Sequence, residues 1–267
     1  MPVPADPSAR RAHHEDPLLN RSLVRGVDIL RAFRPGADLL GNGEIAARTG
    51  LSRATVSRLT QTLVDTGLLE HDREQRAYRL AAPVLSLAHA MRAGSPVLAA
   101  LSPLMWALAE KMRINVGLAM PDRDEMVYLE SVRYNRRVAL RNVVAGQRVP
   151  MELTSLGRAY LAMAPSERRA TLLAHFAARR GGEWRRLKAD IETARQCVER
   201  HGYCIASWQP DVVALATPLI TPGRPVYVLN ASVTSTAAIA EIERELREPL
   251  LTLRAQAVAA LAAGRSS

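Results

Sequence analysis

The residues best suited to chemistry lie between positions 51 and 67, in the stretch LSRATVSRLTQTLVDTG. Arg53, Thr55, Ser57, Arg58 and Gln61 all carry hydrogen-bonding side chains, and at 3.6 residues per turn they gather toward one side of a helix. Such a face suits base-pair edges. An arginine fork matches guanine O6 and N7, a glutamine amide pairs similarly with adenine, and hydroxyls reach bases or phosphates. Arg76, in the charged run HDREQRA, suits a phosphate, a contact that fixes register without reading sequence. For each arginine the plainer reading is a solvated surface charge.

Positioning these groups takes a set of short elements. Ser52 is a good N-cap, and Val56, Leu59, Thr60 and Leu63 recur at the spacing of one buried helical stripe. Upstream, residues 42–49 read as a short helix with Ile45 and Ala46 inward, closed by Gly50 where a left-handed residue ends a helix. Helix, tight turn, helix is the helix-turn-helix pattern, whose second helix enters the major groove. Residues 68–70 and 78–80 then read as a hairpin wing, with no glycine in its tip. A first helix begins at Ser22, with Leu23, Val27, Leu30 and Phe33 on one face and Pro35-Gly36 at its end. After the wing, residues 83–91 form a linker helix whose Val84, Leu85, Leu87 and Ala88 exceed the needs of one small domain, which suits packing against a twin.

Beyond position 96 the pattern changes. A helix over 97–112 leads into β-like runs at 114–120, 125–132 and 138–144, a loop at 145–150, and helices at 154–163, 165–178 and 183–201. Strands at 203–207, 212–220 and 226–233 follow, then a last helix capped by Ser235. A sheet of about six strands with helices around it is an α+β arrangement. The predicted organisation is an arm over 1–20, a winged helix-turn-helix domain over 21–82, a linker helix for dimerisation over 83–95, and a second domain over 96–267.

The chain has 267 residues, 48% hydrophobic and 23% charged, as expected of a globular protein. No apolar run approaches the roughly 20 residues of a membrane span, and the N-terminus lacks the apolar core of a signal peptide, so a cytoplasmic protein is expected. The net charge of +10 favours polyanionic partners, yet the first 92 residues hold 13 Arg against 10 acids, so charge alone supports DNA binding only weakly. Gly-rich phosphate loops, HExxH and GxSxG are absent. Cys197 and Cys204 do not make a metal set, and neither a metal, a cofactor nor a catalytic group is expected. Two rival readings remain: a thiol enzyme using Cys204, and an architectural DNA-binding protein without ligand control.

The chain resembles the IclR family of bacterial transcriptional regulators. The stretches that carry the likeness are SLVRGVDILRAF, EIAARTGLSRATVSRLTQTLVDTGLLEHD with YRL, GQRVPMELTSLGRAYLA, and VERHGYCI followed by VVALATPLI. The resemblance implies a winged helix-turn-helix, a dimerising linker helix and a C-terminal ligand-sensing domain similar to a GAF or profilin-like sheet. It also implies double-stranded operator DNA as partner, a homodimer or dimer of dimers, and a small organic, often aromatic, acid as effector of a catabolic operon. Carried over position by position, the amides that cap a ligand carboxylate fall at Ser155 and Leu156, and the apolar wall near Val138, Val149 and Val212. The floor falls at Ala214, and two strand positions that often bear hydroxyls fall at Asn230 and Ser232. Where many members have PLH, this chain has Pro150-Met151-Glu152, and an acidic family position appears as Ala206. From the residues themselves, Arg141 is a candidate fork for a carboxylate within the basic run 133–158, whose duller reading is a basic strand face in water. Trp208 would stack on an aromatic ligand or fill core.

Overall fold

The computed structural model describes residues 19–134 and 144–263, which form one compact unit ending at Ala93 and a second beginning at Gly94. In the first unit, helix α1 (Arg21–Ala32) is capped by Asn20, whose Oδ1 accepts the amides of Ser22 and Leu23 at 3.1 Å each. Its buried side is the predicted one only toward its C-terminal end, where Phe33 is buried and Leu30 packs against the core. Ile29, Ala32 and Phe33 enter the core, whereas Leu23 is 67% exposed and Val27 is exposed as well. The core shared with α2 (Asn42–Thr49) and α3 (Arg53–Asp65) centres on Ile29, Phe33, Ile45, Val56 and Leu63. Leu23 lies roughly 9 Å along the axis from Ile29, by the rise of a helix, and so falls past the end of that core.

Gly50 closes α2 in the left-handed region at φ 68°, and Ser52 caps α3 by accepting the Thr55 amide. Strands β2 (Leu69–Asp72) and β3 (Ala77–Leu80) form the expected wing, and a two-residue strand β1 (Leu40–Gly41) adds to β3 on its other side. The tip turns without glycine because Arg76 takes φ 51° itself while the Asp72 carboxylate accepts the Gln75 amide at 3.0 Å. A local carboxylate–amide bond is a common way for Asp to hold a turn. Helix α4 (Ala82–Ala93) has no buried residue, and Leu85, Leu87 and Met91 all stand exposed.

The second unit is a six-stranded antiparallel sheet, ordered β6-β5-β4-β9-β8-β7, with helices on both faces. Its strands are β4 (Asn115–Asp122), β5 (Glu125–Arg133), β6 (Arg148–Pro150), β7 (Cys204–Gln209), β8 (Val212–Leu219) and β9 (Tyr227–Thr234). Alternation splits each strand between two cores. Val116, Leu118, Leu215 and Leu229 pack under α5 (Pro96–Met112) and α9 (Ile239–Ala263). Ala119, Met126, Val149, Ala216 and Val228 pack under α6 (Ser155–Met163), α7 (Ser166–Arg180) and α8 (Trp184–His201).

Two readings from the sequence need correction here. Residues 148–150, expected as loop, form the edge strand β6 against β5, while the run expected at 138–144 lies outside the described residues except for Val144, which is not in a strand. Ser235 does not cap the last helix directly. Its Oγ accepts the Ala237 amide, and α9 begins at Ile239. Among the described residues no single helix is long and apolar enough to cross a membrane.

Candidate nucleic-acid interface and ligand site

On α3, Val56 and Thr60 are fully buried and Leu63 nearly so, which turns Arg53, Ser57, Arg58 and Gln61 outward. The buried Thr60 hydroxyl is satisfied by the Val56 carbonyl at 2.9 Å, so the stripe tolerates its one polar member. Two predicted readers are already engaged. Thr55 Oγ1 is 2.9 Å from Ser52 Oγ, and Gln61 Nε2 donates to Asp65 Oδ1 at 2.8 Å. Arg58 and Arg53 are exposed, the Arg53 guanidinium lying beside Gly43 at the start of α2. Arg76 stands exposed at the wing tip. Across the wing His71 stacks on Tyr78 with ring centroids 4.8 Å apart, which braces the hairpin that presents it.

In the second unit the α6 side of the sheet collects the carried-over positions. One row runs Cys204, Ala216, Asn230, Gly117 across four paired strands, and the next runs Ala206, Ala214, Ser232, Asn115. Val149 is buried on the same side, Val212 is half-buried, and Trp208 is 37% exposed at the irregular end of β7. Val138 and Arg141 lie outside the described residues. Gly117, three alanines and Cys204, counted with Asn230, Ser232 and Asn115, make a floor mostly of small residues.

The start of α6 sits over this floor. Cys204 Sγ donates to the Ser155 carbonyl at 3.4 Å. Thr154 Oγ1 accepts the Gly157 amide at 3.2 Å, but the amides of Ser155 and Leu156 have no acceptor among the described residues, although both residues are at most 2% exposed. Buried amides normally find a partner, and two free ones at a helix N-terminus suit an anion. Gly157 is required just there, since a Cβ would overlap the Met151 carbonyl.

The basic run does not line this site as a whole. Arg148 pairs with Asp122 at 2.6 Å and Glu125 at 2.7 Å, and Arg158 reaches the Glu152 carbonyl and Asp190. Glu152 itself is fully buried. Its Oε1 accepts from Arg179 at 2.8 Å and from Arg180 at 2.5 Å, and Arg179 continues to Asp124 at 2.7 Å. Burial alone would raise the Asp124 carboxyl, but the His175 hydrogen bond and the Arg179 charge hold it well below its ordinary range. This clasp joins the β4–β5 turn, the segment before α6 and the end of α7. Sequence spacing gives no sign of it, because its bonded partners are up to 55 residues apart.

Burial pushes the Cys204 thiol up to about 12, and Cys197 is raised for the same reason. A protonated buried thiol is a poor nucleophile, which argues against the thiol-enzyme reading.

Comparison with known proteins agrees with this architecture. The description "IclR helix-turn-helix domain" matches residues 22–73, and "Bacterial transcriptional regulator IclR C-terminal" matches residues 89–259. The HTH-type transcriptional regulator TsaQ1/TsaQ2 of Comamonas testosteroni is 34% identical over 208 residues, covering 77% of this chain and 74% of the relative. The crystal structure of an IclR family transcriptional regulator from Brucella abortus superposes with a TM-score of 0.85 at 33% identity, covering 93% of this chain and 95% of that one. An IclR homolog from Microbacterium hydrocarbonoxydans, solved in complex with 4-hydroxybenzoate, shares the fold at a TM-score of 0.68 and 23% identity, covering 91% and 99%. These relatives are regulators rather than enzymes. With a helix-turn-helix in one unit and a helix-flanked six-stranded sheet in the other, both matched along their length, the chain belongs to the IclR family of transcriptional regulators.

Proposed function

We propose that this regulator reads operator DNA in the cytoplasm through the outer face of α3, as a homodimer or a pair of dimers, and that a small organic acid bound beside α6 alters its affinity for that DNA. The observation that carries the ligand half is the pair of buried, unaccepted amides at Ser155 and Leu156 above a floor of small side chains. A carboxylate there would take both N–H groups and the favourable end of the helix dipole. The 4-hydroxybenzoate complex of the Microbacterium homolog supports an acid of the aromatic class. Val149 and Ala214 would supply apolar contact, and the regulated genes would serve catabolism of such an acid.

The coupling is a free energy: an acid that favours one arrangement must shift DNA affinity by the ratio of its affinities for the two. Binding of the full chain to its own upstream DNA and to scrambled DNA, at fixed salt, with and without a panel of aromatic and aliphatic carboxylates, tests this. Specific binding shifted about 5-fold or more by one acid is expected. Equal affinity for both DNAs, unmoved by every acid, would favour the architectural alternative.

A further inference from the structure

The excess of positive charge is not where a helix-turn-helix alone would need it. The first 92 residues hold 13 basic against 10 acidic residues, which leaves 23 against 16 for the rest of the chain. Much of that remainder lies in one short segment. Residues 167–188, along α7 and into α8, carry seven basic residues and two acidic ones.

Several arginines of the second unit are neutralised in place: Arg148 by Asp122 and Glu125, Arg158 by Asp190, Arg179 and Arg180 by Glu152, and Arg195 by Glu192 and Glu199. Arg185, Arg186 and Lys188 are not. All three are exposed, and none has an ion-pair partner among the described residues. They stand at the start of α8, whose first turn holds no acid. The helix dipole is positive there, so the three cations oppose it and one another. A local rule broken with no gain in packing marks a position suited to a partner, and an anion laid across these side chains would relieve both repulsions.

An acidic protein segment and a phosphate backbone both match this charge, and the neighbouring groove favours the second. Arg169, Lys188, Arg195 and Glu192 rim a groove between α6, α7 and α8, but its Leu161 and Ile191 are at most 5% exposed. A protein segment would draw its affinity largely from apolar anchors, and this surface offers them little. A phosphate backbone needs none. Arginine and lysine hold it by charge-assisted hydrogen bonds, and DNA is the polyanion that a helix-turn-helix regulator already engages.

We infer that the start of α8, through Arg185, Arg186 and Lys188, is a second nucleic-acid contact, one that grips the phosphate backbone of operator DNA outside the bases read by α3. The contact is blind to sequence and adds affinity without choosing the site. It rests on the operator reading by α3 proposed above and not on the acid.

Fluorescence anisotropy of the full chain on a fragment of about 60 bp centred on the operator, over a salt series, tests the inference. Each phosphate contact contributes roughly 0.9 to the slope of log affinity against log salt. The triple variant Arg185→Gln, Arg186→Gln, Lys188→Gln is expected to lower that slope by about 2 or more, with the same loss on operator and on scrambled DNA. Removing three exposed cations elsewhere in the same unit, by Lys111→Gln, Arg200→Gln and Arg244→Gln, should leave the slope within about 0.5 of the unmodified chain. All six side chains are exposed, so neither variant opens a core. A slope unchanged by the α8 variant would overturn the inference and leave those cations to an acidic protein partner. An equal drop in both variants would reduce the effect to net charge and overturn it as well. An unmodified chain that binds operator no better than scrambled DNA would overturn the α3 reading, and this inference with it.

Discussion

Gln61 and Arg58 stand one turn apart on α3 but are not equivalent. Gln61 is held by Asp65 on its own helix, so pairing with adenine would require breaking an existing bond, whereas Arg58 is exposed. Arg76 differs again, presenting its charge from a left-handed wing residue. Arg58→Ala is expected to cost about 1–3 kcal/mol on operator DNA and much less on random DNA. Arg76→Gly, which keeps the positive φ without strain, should weaken both DNAs alike and reduce the salt slope by about 1. Fluorescence anisotropy over a salt series separates the two. Equal loss on both DNAs for Arg58→Ala would remove it from base readout.

At the scale of elements, α6 is positioned from both ends of the segment before it. Thr154 accepts the Gly157 amide and donates to the Pro150 carbonyl at 2.9 Å, while Arg158 returns to the Glu152 carbonyl. Glu152 anchors this segment to α7 through two arginines, and removing one partner of a buried pair strands the others. Glu152→Ala should therefore lower unfolding stability by about 3 kcal/mol, the low end for a buried pair, because Arg179 and Arg180 keep some access to solvent. Urea denaturation measures it. A loss under about 1 kcal/mol would mean that the clasp contributes no more than a surface ion pair.

For the whole molecule the open question is what covers α4. Twelve residues with none buried, and three large apolar side chains exposed, suit a helix whose partner is another chain. On the dimer proposed above, replacing Leu85 and Leu87 together by Ser should shift the protein toward monomer in analytical ultracentrifugation and weaken operator binding, since two such protomers would read two half-sites. Unchanged mass and unchanged affinity would place the interface elsewhere. The sequence by itself determined the helix-turn-helix, its capped recognition helix, the succession of helices and most strands, and the family, because helix caps, turns and apolar periodicity are local. It misjudged what depends on distant packing. The buried side of α1 was decided by where the small core ends, and the edge strand β6 by pairing with β5. The Glu152 clasp belongs to the same class. It joins residues from a strand turn, a loop and a helix, and only the register of the sheet and the docking of α7 brought them within hydrogen-bond reach.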